Sequence, residues 1–128
     1  MTHTVTLLPD HKGVNTPKNL GDEYYVDIVI DISDYAGTTE IFASDCGLSS
    51  INAVCITGQW ATSSLYLFVI KANQATGGYY RSGEPTTGNA NSFDFHAIQK
   101  HVSQDYFNAV SASIGDIGGF RCRVWGHI

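Results

Sequence analysis

The sequence predicts an all-β fold: an antiparallel β-sandwich or jelly-roll-like barrel of about seven to nine strands, with an extended N-terminal arm and at most one short helix. Three observations lead there. Residues 24–33 read YYVDIVIDIS, which sets Val26, Ile28, Ile30 and Ile32 on one side of an extended chain and Tyr25, Asp27, Val29 and Asp31 on the other. Successive strand side chains point to opposite faces, so this pattern needs one buried and one wet face; a helix would scatter the four branched residues around its circumference. Further short apolar segments recur at intervals of about 10–15 residues with turn residues between them. Composition agrees, since 43% hydrophobic residues are too many for a disordered chain, and 13 glycines supply turns.

Taken in order, residues 1–21 read as the arm, and residues 22–128 as one β domain. THTVTLL has strand character with Val5 and Leu7 on one side, and PDHKGVNTPKNLG is a loop rich in Pro, Gly and Asn. After the strand at 24–33, residues 34–50 are a turn-rich connection in which residues 40–43 pair briefly and Ser44-Asp45 begins a short helical turn. A strand follows at 51–57, then a turn at 58–63. SLYLFVIKA, residues 64–72, is apolar on both faces and predicts a central strand. Residues 73–78 turn back to a short strand at 79–81, and 82–92 form the longest loop. Phe93, Phe95 and Ala97 share one side of the next strand. Residues 98–114 fit a helix by their four-residue recurrence and a strand by the alternation from Tyr106 to Ile114; the strand is preferred because DIGGF follows as a hairpin turn. The last strand, 120–125, sets Phe120, Cys122 and Val124 against Arg121, Arg123 and Trp125.

Charge argues about partners. Residues 1–64 carry two lysines against eight acids, a net of −6, while residues 65–128 carry five bases against four acids. Such a surface repels phosphate backbones, so nucleic acid is not an expected partner. No stretch approaches the roughly 18–20 apolar residues of a membrane helix, so no membrane partner is expected. Three cysteines (Cys46, Cys55, Cys122) without a recognisable leader predict reduced thiols and a cytosolic site of assembly. Cys55 and Cys122 lie in strand-like segments, where packing is the simplest role.

No assembled chemistry is legible. Five histidines (His3, His11, His96, His101, His127) show no zinc-type spacing with the cysteines, and a cupin-like HxH is missing, so no metal and no cofactor are expected. Asp27 and Asp31 stand roughly 13 Å apart along a strand, too far for a glycosidase pair. Asp31 and Asp34 near a turn could hold calcium, but solvated charges that keep a strand from stacking are the simpler role. Cys46 lacks the cationic surroundings that activate a thiol, and no nucleophile elbow or phosphate loop occurs. The chain is therefore read as non-enzymatic, with no catalytic residues. Tyr, Trp and Arg dominate interface hot spots, which singles out Trp60, Tyr79, Tyr80, Arg81, Arg123 and Trp125 as candidate interface residues. Trp60, expected on a turn, would either fold back on the core or touch a neighbouring subunit.

Two segments carry a resemblance. FASDCGLSSINAVCITGQ, residues 42–59, looks like a segment of small virion structural proteins of tailed bacteriophages, of the form A-S-D-x-G-L-S-x-I-x-x-V-x-I-x-G. GGFRCRVWGHI, residues 118–128, is similar to their C-terminal F-R-x-R-V-x-G strand. Together they span about 30 of 128 residues. The resemblance implies a capsid decoration or cement protein: a homo-oligomer, commonly a trimer, that is assembled in the host cytoplasm, resides in the virion and binds the major capsid protein or another virion protein. It carries over no binding residues. The arm, residues 1–21, is the candidate for ordering on the capsid. The alternative is a carbohydrate- or surface-binding β module of the fibre or lectin kind, using Trp60, Tyr79, Tyr80 and the 82–92 loop.

Overall fold

The computed structural model describes residues 3–36, 39–61, 67–73, 91–100, 107–109 and 113–128. Among them the protein is all-β and antiparallel, with a single turn of 3-10 helix at Ala43–Cys46. The described residues form eleven strands: β1 (His3–Leu7), β2 (Lys18–Leu20), β3 (Glu23–Ile32), β4 (Tyr35–Ala36), β5 (Thr39–Phe42), β6 (Ser50–Ala61), β7 (Leu67–Asn73), β8 (Ser92–Lys100), β9 (Phe107–Ala109), β10 (Ser113–Gly115) and β11 (Gly118–His127). This exceeds the expected seven to nine because β2, β4, β9 and β10 have only two or three residues each, too few for a period of two to register.

The larger sheet runs β1-β3-β11-β6, with β2 also on β3. β11 takes one edge of β3 from Tyr24 to Ile32, so β1 and β2 share the other. The alternation in β3 is realised as read: Val26, Ile28, Ile30 and Ile32 are all buried, and Asp31 is exposed. β11 likewise buries Phe120, Cys122 and Val124 and turns Arg121, Arg123 and Trp125 outward. The described part of the expected arm is tied into this sheet: Val5 and Leu7 of β1 pack against the core, and β2 pairs with Glu23, Tyr24 and Tyr25. Between them the loop is organised by Asp10, whose carboxylate accepts the N–H groups of Lys12 (2.8 Å) and Val14 (3.0 Å).

The second sheet runs β5-β8-β7, with β9 also on β8. Phe93, Phe95 and Ala97 of β8 are buried, as their alternation predicts. Phe120 of the larger sheet meets Phe95 at 5.0 Å and Phe68 at 4.8 Å between ring centroids, so both sheets feed one core. Among the described residues β8 stands between β5 and β7, and the residues flanking β7, for which a central strand over 64–72 is expected, lie in part outside the described set. Among the described residues β7 pairs with β8 alone, while β8 has partners on both edges. Two apolar faces mark a strand covered above and below, which is not the same as a strand with neighbours on both edges.

Two further expectations are corrected. The turn at 58–63 does not begin at Gly58, because β6 continues to Ala61 opposite β11. A bulge explains the misreading: Gly58 pairs with Arg121 and Ile56 with Cys122, leaving Thr57 as the extra residue. The segment DIGGF is not a hairpin turn. β10 before it pairs with β4, whereas β11 after it pairs with β3 and β6. The Asp116 carboxylate accepts the Gly118 N–H (2.9 Å), and Ile117 donates to Ile32 O (3.1 Å), which turns the chain from one sheet to the next. Of the ambiguous 98–114 stretch, β9 and β10 are strands, and the residues between them lie outside the described set. The short strand expected at 79–81 and the loop at 82–90 also lie outside it; Ser92 already belongs to β8.

Tyr35, fully buried, links β4 to the second sheet. β5 pairs with β8 as far as Phe95 and β9 begins at Ile98, so the intervening Ala97 N–H donates to the Tyr35 hydroxyl (2.9 Å). Tyr35→Phe removes that acceptor and strands a buried donor. It should lower unfolding stability by about 1–3 kcal/mol in a urea titration, with an unchanged m-value; a variant as stable as the original would mean that the bond contributes nothing.

Candidate functional site

The outward face of the larger sheet gathers side chains that the sequence scatters over three strands. Register sets the rows. Trp60 on β6 stands opposite Gly119 on β11, which stands opposite Asp31 on β3. Gly58, Arg121 and Val29 form the next row, Cys55, Arg123 and Asp27 the third, and Ala53, Trp125 and Tyr25 the fourth. The phase of β6 depends on a second bulge, at Asn52: Ala53 pairs with Trp125 and Ile51 with Gly126. Ile51 and Val54, three residues apart, therefore both face the core, and Cys55 is turned out.

The third row holds the strongest electrostatic contact. Arg123 donates from Nε and Nη2 to the two carboxylate oxygens of Asp27, each at 2.9 Å. This fork-on-carboxylate geometry is the favoured one for arginine. The Arg123 guanidinium also lies 4.6 Å from the centroid of the Tyr25 ring, a cation–π distance. Arg121 approaches the same carboxylate less closely, at 3.7 Å, and its side chain is 50% exposed. The hydrogen bond from Arg123, reinforced by both positive charges against some opposing desolvation, holds the Asp27 carboxyl below the usual Asp range; the same pairing raises the Arg123 guanidinium.

Trp60 lies neither on a turn nor in the core. It is 56% exposed, and a Cβ built on Gly119 would fall against Cε2, Cζ2 and Nε1 of its indole. The ring thus covers the glycine backbone and presents its other side to solvent. Gly119 is required by this close approach, just as Gly126 is required where β11 passes the Ser50 carbonyl. Beside Trp60, the position above Gly58 is open apart from Arg121 Cβ.

The sequence-selected residues therefore divide. Trp60, Arg123 and Trp125 share this face. Tyr79, Tyr80 and Arg81 lie outside the described residues. Sequence reading missed Arg121, the Asp27–Arg123 pair and the Tyr25 contact. Their alternation was visible, but which row of β11 meets which row of β3 was not.

Among the described residues, no group of three or more His, Cys, Asp or Glu side chains comes close enough to hold a metal ion. His96 Nε2 lies 3.9 Å from Asp94 Oδ2, and His127 Nδ1 lies 3.3 Å from Ser50 Oγ; His101 is outside the described residues. The thiols differ sharply. Burial pushes Cys46 and Cys122 up to about 12, so both are held protonated in the core. Cys55, expected to pack, is exposed because the Asn52 bulge reverses its side. No family model, curated protein or solved structure matches the chain.

The lowered Asp27 carboxyl gives a pH test. Its contribution to stability is complete above the ordinary Asp value of about 3.9 and is lost as pH falls through the lowered folded value. Asp27→Asn should therefore cost about 1–2 kcal/mol at pH 7, discounted for the partial exposure of Arg123. That deficit should shrink as urea unfolding is repeated below about pH 4; a constant deficit would show that the carboxylate charge is not what stabilises the face.

Proposed function

We propose that this chain is a structural subunit of a virion, a capsid decoration or cement protein built as an antiparallel β-sandwich. The observation that carries the reading is the placement of the two phage-like segments. Residues 42–59 supply the 3-10 turn and most of β6, residues 118–128 supply β11, and β6 and β11 pair along their length. Segments far apart in sequence thus form one continuous unit, which presents Arg121, Arg123 and Trp125 outward, with Trp60 directly after the end of the first segment. A face of Trp and Arg side chains on a rigid sheet suits protein contact. The work of such a protein is mechanical: many copies bind across seams between major capsid subunits, and multivalent attachment amplifies weak single contacts. The decoration reading includes self-association, with a trimer as the order the resemblance implies.

A carbohydrate-binding module is the second reading. The exposed Trp60 ring lying over Gly119 favours it, since a flat indole with one free side is a platform for a sugar ring. One experiment separates the two. The chain is expressed with the major capsid protein of the genome that encodes it, and assembled shells are sedimented. Under the virion reading the chain travels with shells and not with unassembled capsid protein. A chain left in the supernatant that binds a glycan array would establish the second reading.

A further inference from the structure

We infer that the Trp60 indole, flanked by Asp31 and Arg121, is a binding platform for a single neutral pyranose ring of a glycan. The inference rests on the carbohydrate reading given second above, and it deepens that reading by naming the residues and the kind of ligand.

The platform is the first argument. Trp60 is 56% exposed, yet its ring has a floor: the indole lies where a Cβ on residue 119 would fall, against Cε2, Cζ2 and Nε1. Any side chain at 119 would lift the ring off the sheet. One indole face is thus used on β11 and the other is turned to solvent. A ring already held in its stacking position loses little rotamer freedom when a ligand lands on it. Next to it on β6, a Cβ at Gly58 would meet only Arg121 Cβ within 4 Å. That notch leaves room for the rim of a ligand wider than the indole.

The polar groups around the ring are the second argument. Gly119 pairs with Trp60 on one side and Asp31 on the other, so the acid stands in the same row as the indole. Two strand spacings of about 4.8 Å separate the two backbones, and the indole crosses the first of them. Asp31 is exposed, and among the described residues neither its carboxylate nor the Trp60 indole N–H has a hydrogen-bond partner. Arg121 lies two residues along β11 from Gly119. One Nη of it approaches Asp27 at 3.7 Å, and its side chain is 50% exposed, so further N–H groups of the guanidinium face solvent. An acceptor-only carboxylate and two kinds of donor therefore border one flat apolar surface. A pyranose matches this set: its C–H face stacks on the indole, neighbouring hydroxyls donate to Asp31, and a ring or hydroxyl oxygen accepts from Arg121 or the indole N–H. Charge narrows the choice to a neutral sugar. The chain carries a net charge of −5 and Asp31 borders the ring, which disfavours a phosphate or carboxylate ligand. A cation stacked on the indole would lie beside Arg121.

The test is an NMR titration of the isotope-labelled, full-length chain with methyl β-D-galactopyranoside, methyl β-D-glucopyranoside and methyl α-D-mannopyranoside. Each is taken to about 50 mM, beyond the millimolar dissociation constants that a ligand of this size supports. The chain has two tryptophans, so two indole N–H signals report separately. At least one sugar should shift the Trp60 signal saturably and leave that of Trp125 in place. Trp60→Ala and Asp31→Ala should each weaken binding of that sugar at least about fivefold, whereas Trp60→Phe, which keeps a flat ring, should stay within about threefold. Thermal melts check that each variant is folded, and Asp31→Ala, at an exposed position, decides the matter if Trp60→Ala is not. Saturable binding that moves Trp125 alone, or that survives the folded substitutions, would overturn this site and leave the carbohydrate reading standing. No shift with any of the three sugars would overturn the inference, and a glycan array with the intact chain then decides the carbohydrate reading on its own.

Discussion

β11 is hydrogen-bonded to β3 along one edge and to β6 along the other, and this double pairing decides which side chains of the larger sheet become neighbours. A one-residue slip in either ladder would send a whole strand's side chains to the opposite face. The register is held from within by Phe120, Cys122 and Val124, which fit among Val26, Ile28, Ile30 and the Phe68–Phe95 ring cluster. It is held from outside by the Asp27–Arg123 fork, whose two 2.9 Å bonds form only when those residues stand opposite each other. Two glycines of β11 finish the fit, one beneath Trp60 and one beside the Ser50 carbonyl.

The bulges of β6 convert this register into an outward patch. Twelve residues of uninterrupted alternation would have set Ile51, Ala53, Cys55 and Thr57 on one side. Extra residues at Asn52 and Thr57 break that phase twice. Val54 and Ile56 are brought to the core side, Cys55 is turned to solvent, and Trp60 is laid over β11. Bulges commonly re-aim side chains in this way at sheet edges. Here the result is an exposed aromatic ring beside two arginines that share one carboxylate.

How much of this was legible follows from what each signal depends on. The strong alternation of β3, the Phe93–Phe95–Ala97 face of β8 and the two sides of β11 depend only on sequence-local periodicity, and all were read from it. The bulges were not legible, because an extra residue in one strand is defined by its partner. That is why 58–61 read as a turn and why Cys55 was assigned to packing. The hairpin expected at DIGGF failed for a related reason: Asp116 does make a local turn, but the strands on either side of it answer to different sheets. Of the candidate face, Trp60, Arg123 and Trp125 were chosen for residue type alone. Their proximity to each other, and to Arg121 and Asp27, required cross-strand register that one sequence does not contain.

The continuity of β6 through its second bulge is the point on which the outward face stands or falls. Residue-resolved native-state hydrogen exchange measures it directly. The amides of residues 59–61 that point toward β11 should be protected to a degree comparable with those at 54–56. Exchange at the rate of an open turn from Gly58 onward would detach Trp60 from β11 and contradict the arrangement of the face.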